Sequence, residues 1–560
     1  GSEMCIRDSD YVVCPGFRTP KWAKGAVMYQ IFTDRFCNGA PDNDVEDREY
    51  YYIGDYSRKV TDWNRYPATM DVREFYGGDL KGVWDKLDYL QDLGVEVLYF
   101  NPIFVSPSNH KYDIQDYDYI DPHYGVIVED GGNILAEGDH ENANATKYQK
   151  RVTDKKNLEA SNEFFVQFVE EVHRRGMKVI LDGVFNHCGS FNKWLDRERI
   201  YEAGKGYEPG AYVAQDSPYH TFFKFYNEHN WPYNEFYDGW WGHDTLPKLN
   251  YEGSEKLMED IMRIGAKWVS PPFNADGWRL DVADELPDWF LEKIRAAMEE
   301  TAPDSVLIGE VWEDGSNKIA YSQRRRYLLG SETHGLMNYP FRTALLAYVS
   351  GGDADDFREA METLRENYPP AAFYSAMNFL GTHDTPRILT LLGADRTPDT
   401  KAERASYRLL PRERAAGIAK LRLAALVLFT FPGSPMIYYG DEAGMEGFED
   451  PLNRGTYPWG REDRDLLAWF TRLGALRNAY PALQSGTISW LYTAGPLLIF
   501  ARQNGDQRLT TAVNASPDSH TVTLLWEGAG PTDLLTGDTL PCSGGVLHLQ
   551  LPPWGCRLLL

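Results

Sequence analysis

The sequence predicts an α/β protein: a (β/α)8 TIM barrel with an inserted loop-rich subdomain after strand 3 and a C-terminal all-β sandwich domain. Four apolar runs end in polar residues, namely VILDGVFNH, ADGWRLDVADE, VLIGEVWE and MNFLGTHDT. Segments of helical length separate most of these runs, and such a barrel collects polar side chains at the carboxyl ends of its strands. Beyond residue 482 the pattern changes to short alternating runs with turns between them, which is typical of a β-sandwich.

Eight apolar runs are the predicted barrel strands. They cover residues 25–32, 95–104, 177–185, 275–285, 306–311, 334–341, 376–382 and 433–440. Between the first two, Leu80, Val83, Leu87 and Leu90 recur at helical spacing, and Gly94 follows where a helix C-cap belongs. Further helices are predicted over residues 162–176, 254–268 and 288–300, so that strands alternate with helices.

Two domains are predicted after a leader or N-terminal remnant over residues 1–20. The barrel covers residues 21–481 and the sandwich covers residues 482–560. An irregular insert over about 188–252 is interpreted as a lid beside the cleft, because a long loop inside a compact domain is usually functional. Its aromatic side chains are predicted to lie over the barrel mouth: Trp231, Tyr233, Phe236, Tyr237, Trp240, Trp241 and Tyr251.

The composition argues against nucleic acid and membranes as partners. The 83 acidic residues outnumber the 57 Lys and Arg residues, and the formal net charge is −26 at pH 7. Such a charge disfavours binding to polyanions and anionic lipids. The longest apolar run, residues 423–431, is far shorter than the roughly 18 residues that a spanning helix needs. A neutral ligand fits better, and an aromatic content of 14% suits flat, hydroxyl-rich ligands such as sugars.

The cysteine pattern bears on the cellular compartment. None of the six cysteines shows CxxC or metal-ligand spacing, so a reducing, cytoplasmic location is the simplest expectation. Residues 1–9 are interpreted as an extraneous leader, which leaves open whether the natural protein starts with an export signal.

The fourth predicted strand places an arginine beside an aspartate. Arg279 and Asp281 are two residues apart, so their side chains point to the same face. A guanidinium that close favours the ionised carboxylate that a nucleophile needs, and the alternative is a structural ion pair. Retaining cleavage of a glycosidic bond needs two carboxyl groups about 5–5.5 Å apart, which Asp281 and Glu310 can supply. Asp384 is expected to point to the same face if its strand stays regular.

Four segments resemble those of a known family. DGVFNH (182–187), GWRLDVADE (277–285), GEVWE (309–313) and FLGTHDT (379–385) are similar, in order, to the four best-known regions of the α-amylase family, glycoside hydrolase family 13. The resemblance spans the chain from residue 21 and implies that Asp281 is the nucleophile, Glu310 the acid/base and Asp384 the transition-state stabiliser. It implies a substrate-binding set of Tyr112, His187, Arg279, Glu285, His383 and Arg387, with Asp182 as a structural aspartate.

Within that family, LPKLN (246–250) resembles the MPKLN segment of neopullulanases, cyclomaltodextrinases and maltogenic amylases. Glu285 fits this subgroup, whereas Asp284 departs from the usual asparagine. The subgroup also has an N-terminal β-domain that often mediates dimerisation, and this sequence starts almost at the predicted barrel. The resemblance implies hydrolysis of α-1,4 bonds in maltooligosaccharides, cyclodextrins and related α-glucans, by a monomer or a homodimer.

The resemblance also implies a structural calcium site, because carboxylates, amides and a backbone carbonyl are ligands that suit Ca²⁺. The candidate ligands are Asn38, Asn43, Asp44, Gly77 and Asp79. Ala40 stands where the pattern commonly has aspartate, and the alternative is a plain acidic turn.

Other functions remain as alternatives. An exo-acting α-glucosidase or a transglycosylase would use the same chemistry with a different substrate or acceptor. A non-catalytic carbohydrate-binding protein would not need all three acids. A barrel enzyme acting on phosphates would be expected to have a Gly-rich phosphate cradle or a basic cluster, and neither is seen in the sequence.

Overall fold

The computed structural model describes residues 12, 14–67, 72–201, 206–227 and 236–560. Most of the predicted N-terminal remnant, residues 1–11 and 13, therefore lies outside the described residues. Eight parallel strands form one sheet: β1 Met28–Ile31, β2 Val97–Phe100, β3 Lys178–Gly183, β4 Gly277–Leu280, β5 Val306–Gly309, β6 Gly335–Leu336, β7 Met377–Phe379 and β8 Ser434–Tyr438. Their order is β6-β5-β4-β3-β2-β1-β8-β7, and a parallel bridge between Met337 and Met377 joins the two ends. The predicted barrel is confirmed.

Helices surround this sheet. They are α1 Leu80–Asp85, α2 Leu87–Asp92, α3 Thr146–Thr153, α4 Lys155–Arg174, α5 Glu255–Val269, α6 Asp288–Thr301, α7 Tyr339–Val349, α8 Ala354–Asn367, α9 Pro370–Phe373, α10 Ile388–Gly393, α11 Lys401–Ser406, α12 Pro411–Thr430, α13 Arg464–Ala479 and α14 Pro481–Ser485. The helix predicted over 80–93 is two helices, because Lys86 leaves helical geometry (φ −107°, ψ 10°). The strand predicted over 334–341 has only two residues, because the Asn338 side chain caps α7 by accepting a hydrogen bond from the Phe341 amide.

The barrel strands separate two apolar layers. Side chains such as Tyr99, Ile180 and Ile308 form the cluster inside the barrel. Trp278 and Leu280 point outward into the larger core between strands and helices. The predicted alternation along β4 is therefore confirmed, and it leaves Arg279 on the inner side with the polar residues.

A third apolar cluster lies beneath the loops that follow the first three barrel strands. It contains Tyr50, Tyr52 and Phe75 from the first loop, Leu135 and Tyr148 from the second, and Phe191, Ile200 and Tyr201 from the insert. The start of the insert thus packs against two neighbouring loops, which fixes it on one side of the cleft.

The C-terminal sandwich has two antiparallel sheets. Its strands are β9 Thr487–Ala494, β10 Leu497–Asn504, β11 Gln507–Asn514, β12 His520–Leu525, β13 Cys542–Ser543, β14 Val546–Leu551 and β15 Cys556–Leu559. The sheets have the orders β9-β10-β11-β15 and β12-β14-β13. Among the residues that the structure describes, no helix combines the length and apolar character that crossing a bilayer requires.

Candidate active site

One arginine connects three carboxylates at the carboxyl ends of β3, β4 and β5. Arg279 Nη1 lies 2.9 Å from Asp182 Oδ1 and 3.1 Å from Asp281 Oδ1, while its Nη2 lies 2.7 Å from Glu310 Oε2. The strand register explains the first pair, because Arg279 and Asp182 are direct partners across β4 and β3. The expected contact of Arg279 with Asp281 is present, and the structure adds Asp182 and Glu310 to it.

Both carboxylate oxygens of Glu310 accept a hydrogen bond. Its Oε2 accepts a hydrogen bond from the Val282 amide at 2.9 Å, and its Oε1 accepts one from Trp312 Nε1 at 2.7 Å. The Trp312 ring stacks on Tyr339 with centroids 4.2 Å apart. The carboxyl group therefore has one defined orientation next to Asp281.

The protonation of Asp281 is not governed by the arginine alone. Burial and the charge of Glu310 raise the pKa of Asp281 well above its usual value, although Arg279 acts in the opposite direction. The effect of the guanidinium that the sequence predicts is therefore present, but burial and the neighbouring carboxylate of Glu310 oppose it.

Asp384 lies in a loop, not on a strand. Strand β7 ends at Phe379, so the alternation predicted to reach Asp384 does not extend that far. Its Oδ2 is 3.3 Å from His383 Nε2, and its Oδ1 is 3.6 Å from Arg454 Nη2. One third of the side chain is exposed, and its charge contributes to the raised pKa of Asp281. Asp384 therefore faces the same cleft, but from a loop instead of from a strand.

Two histidines are fixed by stacked rings. The His187 ring lies 4.8 Å from Trp240, and the His383 ring lies 5.1 Å from Tyr112, each within 8° of parallel. Burial lowers the pKa of His187 to about 4 and the pKa of His383 well below its usual value. Both rings are neutral at pH 7 and can donate a hydrogen bond to a sugar hydroxyl without introducing charge.

The other predicted substrate-binding residues do not all lie at the surface of the cleft. Tyr112 donates a hydrogen bond to Asp182 Oδ2 at 2.7 Å, which fixes its ring beside the cleft. Glu285 accepts a hydrogen bond from the Tyr321 hydroxyl at 2.5 Å. Arg387 is fully buried between the Tyr438 and Tyr439 rings and pairs with Asp441 at 3.1 Å. Its role in substrate binding stays a prediction, because its side chain does not reach the surface of the cleft.

The aromatic residues of the insert do not act as one group. Trp241 and Phe236 are 79% and 54% exposed, whereas Trp240 covers His187. Tyr237 belongs to the core, which corrects the prediction that it lies over the barrel mouth, whereas Tyr251 packs against that core and lines the cavity that Glu285 also lines. Trp231 and Tyr233 lie outside the described residues.

The candidate calcium ligands lie close together. A Cβ atom on Gly77 would be 2.5 Å from both Asn38 Nδ2 and Asp44 Oδ1. The buried Oδ1 atoms of Asn38 and Asn43 have no hydrogen-bond partner within the described part of the chain. Unpartnered amide oxygens next to a carboxylate fit a hard cation.

Other features of this loop compete with a cation. Asp79 caps α1 by accepting backbone hydrogen bonds from Gly39, Ala40 and Gly82. Lys59 Nζ lies 3.0 Å from Asp44 Oδ2. No cluster of three or more His, Cys, Asp or Glu side chains suited to a metal occurs among residues 12, 14–67, 72–201, 206–227 and 236–560.

Sequence reasoning missed three residues that shape the site. Tyr99 donates to Asp182 at 2.7 Å, and Asn101 donates to the Tyr112 hydroxyl at 3.0 Å. The first contact crosses from β2 to β3, so only the strand register reveals it, whereas the second depends on how the loop after β2 folds back. Trp312 could have been identified from the sequence, because it follows Glu310 by two residues in GEVWE.

Comparisons with known proteins agree with this geometry. The profile of the alpha amylase catalytic domain matches residues 30–140 and 160–465, and that of the maltogenic amylase C-terminal domain matches residues 492–558. The chain is 32% identical to neopullulanase 2 of Thermoactinomyces vulgaris, over 97% of this chain and 79% of that protein. It is 34% identical to an amylopullulanase of Thermoanaerobacter thermohydrosulfuricus over 95% of its length, but it spans only 36% of that longer protein.

The fold has close counterparts among solved structures. The type III pullulan hydrolase from Thermococcus kodakarensis superimposes with a TM-score of 0.76 and 27% identity. The match covers 97% of this chain and 83% of that chain. The barrel and the sandwich therefore occur together in at least one solved relative.

Proposed function

The chain belongs to the α-amylase family, and on that premise we propose that it is a retaining glycoside hydrolase that cleaves α-1,4-glucosidic bonds in maltooligosaccharides, cyclodextrins and related α-glucans. The observation that carries the proposal is the bridge that Arg279 makes between Asp281 and Glu310. Two carboxyl groups on one guanidinium are compatible with the separation of about 5–5.5 Å that retention requires.

In the proposed reaction, Glu310 donates its proton to the glycosidic oxygen as the bond from that oxygen to C1 breaks. Asp281 forms a covalent bond to C1 on the opposite face. Glu310 then takes a proton from water, whose oxygen attacks C1 and releases Asp281.

The surrounding residues would hold the sugar next to Asp281. Neutral His187 and His383 would donate to its hydroxyl groups, and the face of Tyr112 would pack against its ring. Asp384 would stabilise the positive charge that develops at C1, since its partly exposed carboxylate is close enough to Asp281 to affect its pKa.

We further propose that Asn38, Asn43, Asp44 and the Gly77 carbonyl hold a structural Ca²⁺, with Asp79 supporting the loop. The unpartnered amide oxygens and the short distance at Gly77 support this assignment. Such an ion would stabilise the loop after β1 and take no part in the chemistry.

Small and cyclic α-glucans are the proposed preferred substrates. The relatives named neopullulanase and cyclomaltodextrinase support this preference, as do Trp240 stacked on His187 and the exposed Trp241 that follows it in the chain. Aromatic walls reward a bound sugar face and obstruct a long branched chain.

One experiment tests both the reaction and the preference. Early hydrolysis of β-cyclodextrin, maltotriose and soluble starch is followed by proton NMR, with Asp281→Asn as the inactive control. We expect the α-anomer to appear first, because a covalent intermediate inverts C1 twice. A β-anomer appearing first would contradict the nucleophile, and a higher specific activity on starch than on the two small substrates would contradict the preference alone.

A further inference from the structure

A short hairpin beside the catalytic face presents an exposed aromatic ring. Its strands pair Ile319 with Arg324 and Ala320 with Gln323, and we call it the 319–324 hairpin. Both tip residues, Tyr321 and Ser322, have left-handed backbones with φ of 52° and 63°. Two-residue turns of this kind normally use Asn-Gly, and a bulky residue there is strained. Tyr321 is nevertheless 69% exposed, so packing does not explain its presence.

The base of the hairpin is fixed to the segment that follows the proposed nucleophile. Lys318 Nζ lies 2.9 Å from Asp284 Oδ2 and 2.6 Å from Glu313 Oε2. On the other side, Arg325 pairs with Asp288 at 2.6 Å and donates to the Asp284 carbonyl at 2.7 Å. Because the base is anchored twice, the position of the tip is well defined.

The tip is joined to a predicted substrate-binding residue. The Tyr321 hydroxyl donates to Glu285 Oε2 at 2.5 Å. Partial burial of the hydroxyl group and its hydrogen bond to Glu285 raise the pKa of Tyr321 to about 12, so the phenol stays a donor. The carboxylate of Glu285 therefore has a fixed direction, and its Oε1 has no hydrogen-bond partner among the residues that the structure describes.

The hairpin forms one wall of a cavity of about 820 Å³. Tyr321 and Arg324 of the hairpin line it, as do Glu285 and the two insert residues Lys224 and Lys248. A β-bridge between Lys248 and His187 connects this cavity to the catalytic residues. Its volume lies within the range of about 300–1,000 Å³ that is common for ligand sites.

The position of the hairpin indicates which part of a substrate it meets. The acid/base of a glycosidase faces the leaving group, since it protonates the oxygen that departs. Lys318 binds Glu313, three residues beyond Glu310, so the hairpin stands on the Glu310 side of the cleft. Tyr112 and His383 instead stack against each other beside Asp182 and Asp384.

We propose that the 319–324 hairpin binds the glucosyl units on the leaving-group side of the cleaved bond, with Tyr321 as the specificity-determining residue. The exposed ring packs against a sugar face, and the hydroxyl holds Glu285 to accept a hydrogen bond from a sugar hydroxyl. This inference rests on the proposed function, because it needs a glycosidic substrate with a leaving-group sugar.

The test compares a substrate that has a sugar as its leaving group with one that does not. Maltopentaose leaves a sugar in the cavity, whereas α-maltosyl fluoride leaves only a fluoride ion. We expect Tyr321→Ala to lower kcat/KM for maltopentaose by about tenfold, which corresponds to ~1.4 kcal/mol, and to leave kcat/KM for α-maltosyl fluoride unchanged. Tyr321→Phe, which keeps the ring and loses the hydroxyl, should fall between Tyr321→Ala and the wild type.

Tyr492→Ala is the matched control, because Tyr492 is an exposed tyrosine of the C-terminal domain (40% exposed). This variant should leave kcat/KM unchanged for both substrates. An equal loss on both substrates, or no loss on maltopentaose, would overturn the inference. Failure of the proposed function would look different, since the wild-type protein would then turn over neither substrate.

Discussion

At the scale of single residues, Arg279 organises the site. Its spacing from Asp281 was readable in the sequence, because strand side chains alternate. Its contacts with Asp182 and Glu310 were not readable, because they depend on how β3, β4 and β5 are aligned. The sequence also identified Asp384 as a candidate acid. It did not show that the strand ends at Phe379, so that Asp384 lies in a loop.

The three acids give the first prediction. Asp281→Asn, Glu310→Gln and Asp384→Asn should each lower kcat by ~10³-fold or more, because each keeps the side-chain size and removes the ionisable group. Steady-state kinetics on maltotriose measures the loss, and thermal melting shows whether the variant is folded. Near-wild-type turnover in a folded variant would contradict the role given to that residue.

At the scale of elements, long apolar runs were predictable and short polar ones were not. The barrel strands were found because each buried run has several apolar residues with a turn or helix signal after it. The 319–324 hairpin was missed because its strands have two residues each and are largely exposed. The positions of loops depend on tertiary contacts that the local sequence does not encode. One example is the network of buried charged side chains beneath the loops after β1 and β2.

The loop after β1 gives a prediction about metal. If Asn38, Asn43 and Asp44 hold Ca²⁺, chelation should lower the melting temperature more than it lowers kcat. Saturation at 100 times the dissociation constant corresponds to about 2.7 kcal/mol of stabilisation. Differential scanning calorimetry with and without chelator measures the effect.

Asp44→Asn is the informative variant for this site, since it removes the carboxylate and keeps the size. Its melting temperature should no longer respond to Ca²⁺. Wild-type curves that coincide with and without chelator would favour the plain acidic turn, with Lys59 as the partner of Asp44.

The first two loops also share a buried ion network that predicts a pH effect. His123 lies 2.6 Å from Glu49 and 2.8 Å from Asp121. Arg151 pairs with Glu49, and Lys111 pairs with Asp121. Burial acts to lower the pKa of His123, but the two carboxylates outweigh it and raise the pKa to about 9.

The sign of the effect follows from that shift. The stabilisation from protonated His123 is complete below the unfolded pKa of about 6.5 and is lost as pH rises through 9, a change on the order of 3 kcal/mol. Urea unfolding at pH 6 and pH 9 should show this loss in the wild type. His123→Gln should be less stable at pH 6 and should lack this part of the pH dependence; an identical pH dependence in both would contradict the assignment.

At the scale of the whole molecule, barrel and sandwich share one core. The change of pattern near residue 482 indicated a new domain, but how tightly that domain packs against the barrel was not predictable from the sequence. Ile488, Leu498, Phe500 and Val513 of the sandwich belong to the same apolar cluster as the barrel helices. The Tyr348 hydroxyl on α7 also donates to the Pro496 carbonyl at 2.7 Å.

A buried arginine at this junction gives the last prediction. Arg502 on β10 is fully buried and donates to the carbonyls of Thr430, at the end of α12, and of Leu483 and Gly486. Burial lowers its pKa to about 9, and no carboxylate pairs with it in the part of the chain that the structure describes, so these carbonyls stabilise its charge. Arg502→Met should lower the free energy of unfolding by about 3 kcal/mol, because it leaves buried carbonyls without donors. Arg508→Met, at an exposed position on the paired strand β11, is the matched control and should change stability little.

Calorimetry should show one cooperative transition in the wild type, with barrel and sandwich unfolding together, and a lower melting temperature in Arg502→Met. Two separate transitions in the wild type would contradict the shared core, and equal stabilities of the two variants would contradict the role of Arg502.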